Sequence, residues 1–341
     1  MQLKTLSMLL LAGLLVACGD DEPNQGGGTA IQVKPEEQRT VLVGASDGKL
    51  YNMKDGSVYA TLTGCTEITD MAMHGEDYYV AGKAEDQATY WVNGEAVRLS
   101  DSGPTYTITR SFDNVYATTA MALYRNGIKV TGDIPIEPVA MAAYGENYYV
   151  AGQKDSTTPA LWTKNGITAL DNGGYTAHTT GIDLVANSQG TTHYISGYQF
   201  TTVNGTMVMA PCVWLGGTLS PLPLNFTEKE KNNHIYQSGQ AYDVAHYGSS
   251  VYVVGYRADG TDRHATVWVS SSQDEDEVET YWQPDGAIDA EALRVLVYGS
   301  DVYVMTIERE RLTNTRRTRI WMNHQLKGTI NGIAGVDFVV I

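Results

Sequence analysis

The chain has 341 residues, a formal net charge of −16, and 35 Gly and 22 Tyr against only 4 Phe. With 43% hydrophobic and 18% charged residues it is too apolar for a disordered chain, and it has too little Gly and Pro for a collagen or a low-complexity linker. So acidic a surface repels phosphate backbones, which argues against nucleic acid as a partner. Abundant Gly and Tyr, with common Val and Thr, predict many short strands joined by tight turns.

Residues 1–17 read as a leader rather than as structure. Lys4 supplies a positive start, and the apolar run from Leu9 to Val16 is too short to span a bilayer. It ends Leu15-Val16-Ala17-Cys18, which resembles the lipobox of bacterial lipoproteins. The resemblance implies that Cys18 is lipidated and becomes the new N-terminus; an ordinary secretory peptide cut near Ala17 is the alternative. Gly19 follows instead of Asp, and Asp20-Asp21-Glu22 resembles the export signal of surface-exposed lipoproteins of some Gram-negative groups. The expected address is the outer membrane, at the cell surface or facing the periplasm. Residues 18–39, interrupted by Pro23, Gly26-Gly27-Gly28 and Pro35, read as a flexible tether. No later apolar run reaches the ~18–20 residues of a membrane helix. The membrane is therefore expected as a partner only through the N-terminal lipid.

From residue 40 onward the chain repeats itself. Residues 70–82 and 140–152 share Met-Ala, a Gly-Glu turn and Tyr-Tyr-Val-Ala-Gly. Each is followed by a polar loop, an aromatic strand and an Asn-Gly turn of hairpin type, at Asn93-Gly94 and Asn165-Gly166. Looser copies begin near Thr107, Asp183, Asp243 and Arg294. A seventh unit is split: 41–56 supplies its second half and 330–341 its first, with Ile333-Ala334 matching Met71-Ala72. One aromatic recurs at a single register: Tyr51, Trp91, Tyr124, Trp162, Trp214, Trp268 and Trp321.

Each unit reads as four short strands. The second strand is apolar on successive residues, as suits a sheet covered on both faces. Its small residues admit a neighbouring backbone. Four-stranded sheets repeated radially make a β-propeller, and about 43 residues per unit fits a four-stranded blade. The expected fold is all-β: a seven-bladed propeller over 40–341, closed by pairing of the terminal strands. Six blades is the alternative if 107–130 is not a true unit. The repeat resembles those of seven-bladed bacterial propellers, and its motifs are structural. Cys65 and Cys212 fall in distant units and are expected to be free thiols.

The turns between first and second strands are short and uniform. The longer segments (171–181, 199–207, 225–240, 257–264, 283–291 and 308–317) belong mostly to the opposite face, where binding is expected. Asp70, Asp183, Asp243 and Arg294 begin inner strands and should ring the channel mouth. They would serve a cation or substrate, or simply accept backbone N–H groups, with Arg294 paired to a neighbour. His178, His234 and His264 sit in or beside long loops without metal-ligand spacing. Trp282, with Tyr198 and Tyr236, could give flat platforms for sugar rings or a protein. Arg316 and Arg317, in a cluster with Arg309, Arg311 and Arg319, could meet an acidic glycan, or pair with Glu308 and Glu310 across a hairpin. GxSxG, HExxH and Walker A motifs are absent, and no cofactor or metal is expected. A monomeric binding or scaffold module for a glycan or protein fits best; a carbohydrate-active lyase or hydrolase at the channel mouth is the alternative.

Overall fold

The computed structural model describes residues 33–187, 190–203, 205–224, 237–260, 262–270, 277–280, 288–310 and 312–341. The leader, Cys18 and most of the tether lie outside them, as do His234, Tyr236, Trp282 and Arg311. The described residues form seven four-stranded antiparallel sheets. Blades one to six run 65–102, 107–131, 137–169, 177–221, 238–280 and 288–331. The seventh joins the C-terminal strand Gly335–Val340 to Val41–Ala45, Lys49–Asn52 and Val58–Thr61. The unit at 107–131 is a complete blade, so the count is seven.

One register is corrected. Ile330 belongs to the outer strand of blade six, Gln325–Asn331, and does not begin the seventh unit. Phe338, paired with Val43 and through it with Tyr51, takes the place that Met71 holds in blade one. Ile333-Ala334 imitates Met71-Ala72 in the sequence, and only the strand pairing shows that Phe338 is the true counterpart.

The recurrent aromatic explains how the blades stack. All seven copies are buried. Each packs onto the blade before it, in one of seven apolar clusters that fill the seven gaps between blades. Trp214 of blade four, for example, meets Ala151 and Leu161 of blade three. The cluster between blades four and five is the smallest, and an apolar groove of about 150 Å³ opens beside it, lined by Tyr194, Val213, Leu222 and Trp268.

A second device acts at the inner strands. In six blades the inner strand is bulged at one shared register: Thr69, Val139, Thr180, Tyr242, Leu293 and Val336, with a second bulge at Thr66 in blade one. Such β-bulges bend a strand and re-aim its side chains. They also explain the glycine of the second strand. A Cβ on Gly82 would sit 2.0 Å from the Glu67 carbonyl oxygen, next to the bulge, and Gly152, Gly197 and Gly255 face the same obstruction.

Blades four to six are taller than the others. In blades one to three the second and third strands have three to eight residues. In blade four they reach Gly190–Val203 and Thr206–Leu215, in blade five Ser250–Asp259 and Asp262–Ser270, in blade six Asp301–Glu310 and Arg316–Met322. The expected loops 199–207 and 257–264 are thus mostly strand, and 308–317 is strand at both ends; all three continue as paired hairpins that raise a rim on the face opposite the short turns.

Two outcomes test this architecture. Gly82→Ala should cost roughly 2–3 kcal/mol by overpacking against backbone, read as a lowered denaturation midpoint; an unchanged midpoint would contradict the bulge account. A chain ending at Ala334 should lose its cooperative melt, and a native-like melt would contradict closure by Gly335–Val340.

Candidate functional site

The inner strands surround a channel of about 480 Å³. The residue after each bulge, and its counterpart in blade two, forms a level ring: Asp337, Asp70, Thr107, Ala140, Gly181, Asp243 and Arg294. Three of the four expected ring residues are therefore in place. Asp183 is not. It lies two residues past the ring, toward the short turns, because Gly181 holds the blade-four position. A Cβ there would come within 2.7 Å of Asp243 Oδ1 and 2.9 Å of Asp243 Cα, so no side chain fits. Asp337 is the member that sequence reasoning missed. The signal was present: Asp337-Phe338 matches Asp70-Met71 once the aromatic register is used to align the units.

The ring carboxylates join blades. Asp337 Oδ2 accepts the Met71 N–H at 2.8 Å, Asp70 Oδ2 accepts Ile108 N–H at 2.8 Å, and Asp243 Oδ2 accepts Val295 N–H at 3.0 Å. Each bond reaches the inner strand of the next blade. Nearby threonines do the same: Thr69 donates to the Thr105 carbonyl and Thr180 to the Ala241 carbonyl. Arg294 supplies the balancing charge, with Nε 3.4 Å from Asp337 Oδ1.

The charges are strongly perturbed. Burial holds the Asp70 carboxyl well above the usual carboxylate range, and the Asp337 carboxylate hydrogen-bonded to it adds to the effect. Burial raises Asp243 to about 7 against the pull of Arg294. Burial opposes the Arg294 charge, but Asp337, Asp243 and Asp70 together hold its pKa above the ordinary value. Farther along the channel, Asp183 Oδ2 accepts the His246 N–H at 2.7 Å and lies 2.6 Å from His246 Nδ1, bridging blades four and five. That hydrogen bond raises the His246 pKa despite burial.

The rim presents different chemistry. His178 and Tyr198, paired across blade four, stack at 5.1 Å with Phe200 edge-on to both. Tyr242 and Tyr256 of blade five lie 5.8 Å apart, within electrostatic reach of Tyr198, Arg263 and Asp289. The Arg263 guanidinium lies 5.6 Å above the Tyr256 ring and grips Asp289 with contacts of 3.1 and 2.7 Å, while also reaching Glu291. His264 is not a surface loop residue: it is buried in the third strand of blade five, opposite the fully buried Arg257. Arg317 and Arg319 hold Glu308 at 2.6 and 3.0 Å, as self-pairing requires; Glu310 accepts Thr313 instead. Cys65 and Cys212 are free, and burial raises both thiols, Cys65 to about 11. Among the described residues no His, Cys, Asp or Glu group has metal-site geometry.

Neither a known protein family nor a curated protein matches the sequence. Solved structures similar to this chain include glycoside hydrolases. The subtype N11 neuraminidase-like protein of A/flat-faced bat/Peru (H18N11) is 10% identical over 81% of this chain and 94% of that one, with a TM-score of 0.42. A glycoside hydrolase is 10% identical over 88% and 89%, with a TM-score of 0.36. The Bombyx mori GH32 β-fructofuranosidase BmSUC1 is 11% identical over 60% of this chain, with a TM-score of 0.34, and the match spans 51% of that enzyme. The seven-bladed assignment rests on the strand pairing of this chain itself.

The seams between blades should respond to pH. Asp70, Asp243 and His246 all have folded pKa values above their ordinary ones. A raised folded pKa gives stability that is complete below the unfolded value and is lost as pH rises through the folded one. For Asp243 that window runs from 3.8 to about 7. Carboxylates with lowered values, such as Asp47, Asp101 and Asp301, act only at more acidic pH. The melting temperature should therefore fall between pH 5 and pH 8, and Asp243→Asn should shrink that fall; an equal fall in both proteins would contradict the coupling.

Proposed function

We propose that the protein is an exported, lipid-anchored propeller that binds a glycan along its tall rim. The observation that carries this reading is the row His178, Tyr198, Tyr242 and Tyr256, which ends on the fixed Arg263–Asp289–Glu291 group. The partly exposed rings of His178, Tyr198 and Tyr242 offer apolar faces to sugar C–H bonds, and convergent polar groups fix orientation. The rim stands on rigid paired strands rather than on loose loops.

The tether supports the same orientation. Val33 lies against Gly299, and Lys34 pairs with Glu76 and bonds to the Tyr298 hydroxyl. Arg39 meets Asp301 and Tyr303. All these contacts are on the face of the short turns or close to it. A lipid at Cys18 would then leave the rim facing away from the membrane.

A lyase or hydrolase in the channel is the second reading, favoured by the Asp70–Asp337 pair and Asp243 beside Arg294. The binding reading is preferred because Asp70, Asp243 and Asp337 are each engaged with backbone of the next blade. The test is a screen of the whole protein on immobilised glycans, with product analysis of each bound sugar. Binding without turnover is expected, with at least a tenfold loss of affinity in Tyr198→Ala. Turnover abolished by Asp243→Asn would favour the enzyme, and the absence of any glycan ligand would overturn both readings.

A further inference from the structure

We propose that the hairpin of blade six captures the carboxylates of a uronate-bearing glycan between Arg309 and Arg316, an inference that rests on the glycan-binding reading above. Arg309 stands directly opposite Arg316 in the strand register. Like charges in that position repel, and the chain, with a net charge of −16, has no shortage of acids to place there.

The nearby acids are already engaged. Asp289, opposite Arg309 on its other side, is gripped by Arg263 at 3.1 and 2.7 Å. Glu308 projects to the other face of the hairpin, where Arg317 and Arg319 hold it. Glu310 accepts the Thr313 hydroxyl at 2.7 Å. Arg309 directs Nε to the Asn314 side-chain oxygen, which leaves its two terminal nitrogens for other partners, and Arg316 is exposed.

Placement connects this pair to the aromatic row. Residues opposite one another in antiparallel strands share a face, so Asp289, Arg309 and Arg316 lie on one side of blade six. Asp289 meets Arg263 of blade five there, and Arg263 covers Tyr256. Sugar rings lying along the tyrosines would thus carry their substituents toward the two guanidinium groups. A planar fork of N–H donors matches a carboxylate in two-point geometry, and an ammonium does not.

The experiment measures affinity of the full chain for a panel of uronate polysaccharides, their carboxyl-reduced forms, and sulfated and neutral glycans, at low and high salt. At least one uronate polymer should bind, at least tenfold more tightly than its carboxyl-reduced form, with affinity falling as salt rises. R309Q/R316Q should lose about tenfold and most of the salt dependence at an unchanged melting temperature. R309K/R316K should keep the salt dependence while losing most of the affinity. Equal binding of uronate and reduced forms, binding of sulfated but not uronate polymers, or parental affinity in R309Q/R316Q would overturn the inference while glycan binding stands. If the double variant melts early, the carboxyl-reduced comparison in the parent still decides. No binding to any glycan would overturn the reading beneath it.

Discussion

The structure depends on one extra residue. A bulge in the inner strand of six blades sets the following residue into a ring around the channel. Where that residue is Asp, its carboxylate accepts an N–H from the next blade's inner strand. The third-strand aromatic acts in the opposite direction, packing onto the blade before. Every blade is thus held backward by apolar burial, and three are also held forward by a carboxyl–amide hydrogen bond near the axis. A carboxyl oxygen that accepts a buried N–H spares the cost of leaving that donor unsatisfied, and an aromatic of this size is the largest apolar contribution a side chain offers.

That construction bears on where function can sit. A buried cluster of charges is costly to desolvate, and its attractions offset the cost only when the remaining bonds are well made. In this channel the bonds go to the walls. Arg294 balances the carboxylates, and Asp70 bonds to Asp337 rather than standing alone. Perturbed pKa values are a common mark of active sites, but structural ion networks produce them too. The rim over blades four to six differs, because the rings of His178, Tyr198 and Tyr242 and the Arg263 guanidinium remain partly open above paired strands.

Most of the fold was legible because its determinants are local. The aromatic at one register, the Asn-Gly turns and the Tyr-Tyr-Val-Ala-Gly strand identify the blade directly, even in the divergent unit at 107–131. The ring was less legible because a bulge adds a residue without a composition signature. Asp183 was two places out of register, since Gly181 holds the ring position and Asp243 occupies the space beside it. Asp337 is hidden because Ile333-Ala334 imitates Met71-Ala72, which shifts the apparent register of the last unit. The rim was misread as loops since hairpin extensions such as 199–207 and 308–317 are polar, and polarity suggests a loop when the pairing partner is unknown. Tyr242 and Tyr256 are indistinguishable in the sequence from the other tyrosines of the repeat.

Amide hydrogen exchange of Met71, Ile108 and Val295 tests the central claim most directly. If the ring carboxylates hold the blades together, these three amides exchange only on global unfolding, alongside the central strands of their blades. Exchange as fast as that of the outer strands would mean that the carboxylates are free for other chemistry, and it would contradict the account.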